Sequence, residues 1–437
     1  MKPGPALLSA LFACSLAAQA QETWTLEQSL DHAFTHNPDM RIAQQRIAAA
    51  QAGLEQANAA FWPRLQVESS YTRSNNPMLS FGSILNQQSY TSSLDFNNVP
   101  AIDNFNLKGM VTVPLYSGGR NTAGREVAEA NTEAAKLDSA AVRNELGFEV
   151  ARAFHTVLKT RQFIEAATAA VDALESSLDI GRKRLEGGML LKTGVLDIEV
   201  RLAQAREDLV RARNANTLAA RTLRNLLGIE DDDFDIADTA PVVSVPAAGN
   251  VTRRPEMAAA REREAAAQAQ VRGARSGYQP RVSAFGSLDY DYGHVTGADG
   301  QSYMAGVLAQ WDLWDGRSTR AKVREANANL EAAREEQRKL RLALNFEIEQ
   351  ARLNLEATNE RLAVTSKTVE QAAESAGLTR KRFEQGLALA TQVIDSEAAL
   401  LSARVRRAEA ESDQRIAIAA LRKALALPQL DNHPAAE

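Results

Sequence analysis

Two hydrophobic rhythms alternate along this chain, and the whole alternation occurs twice. In residues 64–72 Leu65, Val67 and Tyr71 oppose Arg64, Gln66, Glu68, Ser70 and Thr72, and residues 105–115 put Phe105, Leu107, Val111, Val113 and Leu115 on one side. In residues 281–292 Val282, Ala284, Gly286, Leu288, Tyr290 and Tyr292 oppose Arg281, Ser283, Phe285, Ser287, Asp289 and Asp291. Residues 303–313 likewise align Tyr303, Ala305, Val307, Ala309, Trp311 and Leu313. A period of two sustained over about ten residues predicts strands. Around them, alanine-rich sequence with helical spacing predicts helices over 25–61, 121–186, 193–227, 255–275, 318–383 and 391–426. Thr25 with Gln28 three residues on makes a capping box for the first.

Proline placement supports these spans. Positions 115–240 and 281–427 contain no proline, whereas Pro38, Pro63, Pro114, Pro255 and Pro280 sit at the joints. Because proline breaks helix interiors, each proline-free span can hold uninterrupted helix. The stretch 121–186 would then be about 100 Å long, too long to fold back into a compact domain. The chain divides into a first repeat over 21–228, an irregular connector over 229–250, a second repeat over 251–428 and a tail over 429–437. Each repeat reads helix, strand, strand, very long helix, returning helix. The fold class is mainly α with a small, duplicated β part.

Residues 1–20 change the setting. Lys2, the apolar run 6–16 and Ala18-Gln19-Ala20 read as an export signal, whose removal takes the formal charge from -5 to -6 because Lys2 is its only charge. The one cysteine, Cys14, lies inside this segment, and Leu11-Phe12-Ala13-Cys14 also resembles a lipoprotein cleavage box. Both simple cleavage and lipidation stay open. The acidic balance gives no basic footprint, which argues against nucleic acid as a partner. No later apolar run reaches the roughly 20 residues of a membrane-spanning helix, so a membrane crossing would have to use strands.

Alternating strands suit a half-buried soluble sheet or a transmembrane barrel. Export, and helices too long to cover the strands, favour the barrel. Tyr71, Tyr290, Tyr292, Tyr303, Trp311 and Trp314 fall near strand ends, where a barrel carries aromatic girdles. Four strands cannot close a barrel, and open edges in lipid are prohibitive, so several subunits must share one. Three copies would supply twelve strands and a coiled tube of helices.

These features resemble the TolC-type outer-membrane efflux family. The resemblance is carried by Trp24-Thr25-Leu26-Glu27-Gln28-Ser29-Leu30-Asp31-His32-Ala33 with Asn37-Pro38-Asp39-Met40, and by Pro114-Leu115-Tyr116-Ser117-Gly118-Gly119-Arg120. It recurs in Arg254-Pro255-Glu256-Met257, Gly277-Tyr278-Gln279-Pro280-Arg281 and Asp312-Leu313-Trp314-Asp315-Gly316-Arg317. It implies a homotrimer with a twelve-stranded β-barrel in outer-membrane lipid, continued by a periplasmic α-helical barrel. Such proteins are passive exit ducts of tripartite efflux or type I secretion systems. They dock by their tunnel tips to a periplasmic adaptor joined to an inner-membrane pump, and they are neither enzymes nor cofactor binders.

The resemblance places the tips at two breaks: Arg184, Leu185, Gly188, Thr193, Val195 and Asp197, and Arg382, Phe383, Gly386, Thr391, Val393 and Asp395. The spacing from Gly188 to Asp197 equals that from Gly386 to Asp395. A glycine permits the left-handed turn, and Thr193 or Thr391 can cap the returning helix. Leu185, Val195, Phe383 and Val393 would offer apolar grip to an adaptor. All of these residues also fit a plain helical hairpin closure, and Asp197 and Asp395 fit either pairing with Arg184 and Arg382 or local capping. Asp179, Glu186, Glu374 and Glu384 lie close by, but no helix phase singles out a gate.

Other chemistry is thin. His32 and His36 stand at i, i+4 without the carboxylate or cysteine of a metal motif, and Ser117-Gly118-Gly119-Arg120 lacks the rest of a phosphate loop. The loop 76–104 is long and mixed, and in a barrel it would plug or shield the mouth. A periplasmic coiled-coil adaptor or scaffold is the competing reading, disfavoured by the strand pairs in both repeats. The substrate, adaptor and pump are not legible.

Overall fold

Helices of equal length follow the two strand pairs. In the first half β1 (Thr23–Trp24), α1 (Leu26–His36) and α2 (Pro38–Ala59) lead to β2 (Arg64–Ser74), α3 (Pro77–Asn86) and β3 (Ile102–Tyr116). Then come α4 (Arg120–Glu186), α5 (Lys192–Leu227) and β4 (Asp235–Ile236). The second half holds α6 (Pro255–Arg275), β5 (Arg281–Gly293), β6 (Ala298–Gln310), α7 (Ser318–Glu384) and α8 (Ala390–Ala424). The computed structural model describes residues 23–95, 97–230, 235–241, 243–246 and 251–431. The export signal with Cys14, most of the connector's acidic run and the end of the tail lie outside these residues. The helices α4 and α7 each have 67 residues, hence about 100 Å, and start 198 residues apart.

Local chemistry explains most boundaries and two departures from expectation. Thr25 caps α1 reciprocally, its hydroxyl accepting from Gln28 N–H at 3.2 Å while Gln28 Oε1 accepts from Thr25 N–H at 2.9 Å. The single helix expected over 25–61 is instead two. Pro38 disfavours helical backbone in the residue before it, and Asn37 is extended, with ψ 134°. The Asn37 side chain then caps α2 by accepting from Asp39 N–H at 2.7 Å, and it donates to Leu226 O at 2.8 Å. The last strand is also displaced, running over Ala298–Gln310 rather than 303–313. Pairing decides this: Gly293 faces Ala298 and Arg281 faces Gln310, so β6 is exhausted where β5 begins. Trp311 leaves the ladder, and its indole donates to Tyr278 O at 3.1 Å.

The four long strands form one antiparallel sheet in the order β2-β3-β5-β6. Register gathers most of the large apolar side chains on one face, with Phe285, Met304 and Leu308 on the other. Leu65, Val67, Tyr71, Phe105, Leu107, Val111, Val282, Leu288, Tyr290, Tyr303 and Val307 share one face, which is bare: Val67 is 72% exposed and Tyr303 82%. Tyr71, Phe105 and Tyr292 lie in a row across three strands toward one end. Phe61, Trp62, Tyr116, Trp311 and Trp314 are exposed at the other end, where strands meet helices. On the opposite face Asn104 and Asn106 donate to Asp291 at 2.5 and 3.1 Å, and Lys108 lies 3.6 Å from Asp289. Phe285 lies over Gly306 on that face, occupying the space a side chain there would take. A soluble sheet would bury the apolar face and expose the polar one.

The helical body is held midway along the rods. Leu26, Leu30, Val150, Phe154, Leu223 and Leu227 are fully buried together. Thr23–Trp24 pairs in parallel with Asp235–Ile236, and Arg161 fastens this patch through both Asp235 and Asp238. In the second half Arg254, 2% exposed, binds Glu256 at 2.6 Å, Glu347 at 3.1 Å and Ala424 O at 3.0 Å. These links tie α6, α7 and α8 at one level. No helix among the described residues is long and apolar enough to cross a membrane.

One buried group makes stability depend on pH. His155 is 6% exposed within α4, and its Nδ1 has no hydrogen-bond partner among the described residues. Burial first, then Arg415, hold its imidazole down to about 4. The folded state therefore resists protonation that the unfolded chain accepts near its ordinary value of about 6.5. Stability is complete above that value and falls as pH drops toward about 4, by on the order of 3 kcal/mol. The unfolding midpoint should decline from pH 6.5 to 4.5, and His155→Gln should remove part of that decline. An unchanged profile in the variant would contradict the assignment.

The hairpin tips as a candidate docking site

At their far ends α4 and α7 reverse by the same device. Gly188 and Gly386 take left-handed backbone with φ 68° and 83°. Met189 N–H reaches back to Arg184 O at 2.8 Å and Gly188 N–H to Leu185 O at 3.0 Å. In the second tip Leu387 donates to Arg382 O at 2.8 Å and Gly386 to Phe383 O at 3.0 Å. This paired closure satisfies the last carbonyls of each helix, and it favours glycine because a Cβ is disfavoured at such φ. The two glycines thus have a complete structural explanation.

The expected threonine caps are not there. Thr193 and Thr391 lie one residue inside α5 and α8, whose caps are Leu191 and Leu389. The cap position one residue upstream of alanine or lysine leaves the threonine hydroxyls exposed in the first turn. At the second tip Gln392 does the work, its Oε1 accepting from Leu389 N–H at 3.0 Å. Asp197 and Asp395 are exposed, and neither forms an ion pair with Arg184 or Arg382 among the described residues.

The apolar residues expected to grip a partner are mostly inside. Phe383 is 1% exposed, Val393 0% and Val195 5%, packed with Leu174, Leu178, Ile198, Leu202 and the half-buried Leu185. Two adjacent hairpins must be sealed together, and these side chains supply that seal. Exposed instead are Met189, Leu191, Leu196, Leu387 and Leu389, in and beside the turns. For Met189 and Leu387 the signal in the sequence is an apolar residue directly after a helix-ending glycine, where no helical spacing requires one.

Equivalent polar residues of the tips behave differently. Arg184 crosses from the first tip to the second: Nη1 donates to Phe383 O at 3.0 Å, Nη2 donates to Met189 O at 3.3 Å, and the guanidinium lies 5.2 Å from the Phe383 ring centre. Arg382, its counterpart 198 residues on, is exposed. A second pair shows the same contrast. Arg182 meets Glu199 at 2.8 Å in the open, whereas Arg380 meets Glu397 at 2.8 Å with the carboxylate 3% exposed. Burial pushes the Glu397 carboxyl up, against the opposing pull of Arg380 and Arg404. Neither the crossing of Arg184 nor the burial of Glu397 was recognisable from spacing, since both depend on how one hairpin lies on the other.

Comparison with known proteins places the whole architecture. Residues 29–229 and 251–427 match the family model described as outer membrane efflux protein. The chain is 25% identical over 391 residues to the pyoverdine export outer membrane protein OpmQ of Pseudomonas aeruginosa, spanning 86% of this chain and 80% of that one. It is 24% identical over 324 residues to the outer membrane protein TolC of Vibrio cholerae, spanning 69% and 72%. The solved structure of the outer-membrane channel OprN shares its fold, with TM-score 0.77 and 21% identity over 92% of this chain and 89% of that one.

The crossing arginine yields a test. Losing a charge-assisted contact worth about 1.4 kcal/mol should speed local opening about tenfold. Amide exchange over residues 383–393 should therefore rise about tenfold in Arg184→Ala and stay unchanged in Arg382→Ala. Equal effects of the two substitutions would refute the asymmetry.

Proposed function

The chain belongs to the outer membrane efflux protein family and is a non-enzymatic channel of the Gram-negative outer membrane; on that premise we propose that three copies close one twelve-stranded barrel, continued by a helical tunnel in the periplasm. The observation that carries this reading is the open four-stranded sheet with a bare apolar face. Its edge strands β2 and β6 run in opposite directions, so β6 of one copy can pair antiparallel with β2 of the next. Closing the ring satisfies every edge N–H and C=O, which lipid would leave bare. On the rods Leu342, Phe346, Leu353 and Val364 form an exposed apolar stripe on α7, supporting contact with a neighbouring copy. Four helical rods from each of three copies would surround the tunnel.

The tips are the docking end in this reading. Met189, Leu191, Leu387 and Leu389 form an exposed apolar crown, flanked by Gly188, Gly386, Thr193, Thr391, Asp197, Asp395 and Arg382. A periplasmic adaptor hairpin with apolar side chains fits such a surface. Arg184, Leu185, Val195, Phe383 and Val393 hold its shape from within. Substrate would arrive from an inner-membrane pump and pass outward without chemistry. The bare apolar sheet face counts against a soluble adaptor or scaffold.

Extraction from outer membranes in mild detergent should give a molar mass near three chains. A monomer, or a protein found free in the periplasm, would overturn the shared barrel. Leu191→Asp with Leu389→Asp should leave the mass intact while reducing efflux to the level of a strain lacking the gene. Unimpaired efflux would remove the crown from the docking surface.

A further inference from the structure

The helix α3 was not expected within the loop it occupies, and its attachment is unusually complete. Asn76 caps it, accepting from Met78 N–H at 3.0 Å, and Ser80 Oγ donates to Ser74 O at 2.7 Å at the end of β2. At the other end Gln87 is 0% exposed and bonds through both ends of its amide. Its Nε2 donates to Asp103 O and to Asn104 Oδ1, each at 2.8 Å. Its Oε1 accepts from Thr296 Oγ1 at 2.6 Å, in the turn between β5 and β6. The Asp103 carboxylate accepts from His294 and Val295 N–H and holds that turn. Thus α3 crosses the sheet end from β2 to the β5–β6 turn, with both Gln87 N–H donors and its carbonyl oxygen engaged.

Two glycines show which face it lies on. A Cβ on Gly300 would stand 1.9 Å from Asn86 O, and one on Gly293 would stand 2.1 Å from Gln87 Oε1. Gly300 pairs with Asp291, which pairs with Asn106, and Gly293 lies two residues beyond Asp291. Both glycines therefore belong to the polar face, the inner wall of a closed barrel. Twelve strands about 4.8 Å apart, tilted about 40°, enclose a backbone cylinder roughly 24 Å wide. Laid across the strands against that wall, a helix about 10 Å thick takes up most of the roughly 12 Å radius, and three copies do so from three sides. Little of the bore is left at that level, and the exposed residues of α3 include Met78, Leu79 and Leu85.

We propose that α3, fixed by Gln87, is a rigid collar inside the extracellular mouth that restricts this duct to small organic solutes and excludes polypeptide cargo. The inference rests on the shared-barrel reading above. Gln87 is a positioning residue, and the collar discriminates by size and by its apolar surface.

Accessibility of an engineered thiol inside the barrel tests it. Ser302 lies on the polar face next in line inward from Gly300 and is exposed. Ser302→Cys is placed in three backgrounds: the parent chain, Gln87→Ala, and a chain whose residues 77–86 are replaced by a glycine-serine tether. Intact cells are treated with N-ethylmaleimide or with a maleimide carried on a polyethylene glycol chain, and the chain without Ser302→Cys corrects for Cys14. The small reagent should label all three. The polymer reagent should label the two altered backgrounds an order of magnitude faster than the parent. Equal polymer labelling in all three, whether admitted or refused, would overturn the collar and leave the barrel standing. Failure of the small reagent even with the tether would remove the barrel reading and the collar with it.

Discussion

Unpaired backbone groups along β2 and β6 are the constraint on which the rest depends. Each edge presents a row of N–H and C=O groups beside a face of Leu, Val and Tyr side chains that water does not favour. In hydrocarbon those groups have no alternative partner, and several kcal/mol per group is at stake. One chain cannot meet that requirement with four strands. Assembly is therefore a condition of membrane insertion, and the separation of polar from apolar faces is useful only once the ring is closed.

The helical rods carry this arrangement into a different medium. They need no apolar exterior, so alanine suffices where rods touch, and charge covers the rest. Their stability is concentrated at few levels: the cluster around Phe154 and Leu223, the Arg254 network, and the seal at the tips. Near-repetition of the sequence does not give equivalent environments. Arg184 and Arg382 occupy matching positions, yet only Arg184 bridges the two tips, because each hairpin has a different neighbour.

Periodicity made the strands, the long helices and the glycine turns legible, since each is set by local spacing or by a single backbone requirement. Thr25 and Gln28 announced their cap for the same reason. Features set by distant contacts were not legible. The shift of β6 follows from its pairing with β5, not from its own alternation, which continues through Trp311 and Leu313. Val195, Phe383 and Val393 read as apolar tip residues, and only the contact between hairpins shows that they are buried. Pro38 marks a joint, but the strength of the break comes from Asn37 serving two helices at once. Gln87 had no signal, because its partners lie 16 or more residues away.

The uninterrupted length of α4 and α7 makes each rod a ruler. Inserting seven residues into one of them would move its tip by about 10 Å relative to the other three rods of the same chain. The turn glycines would no longer lie level, and Arg184 would face the side of a helix instead of its end. Changes of length are therefore tolerable only when made together in the outgoing and returning helices of both repeats. The distance between membrane and tip is in this sense inherited as a unit, and insertions should be confined to the connector and the extracellular turns.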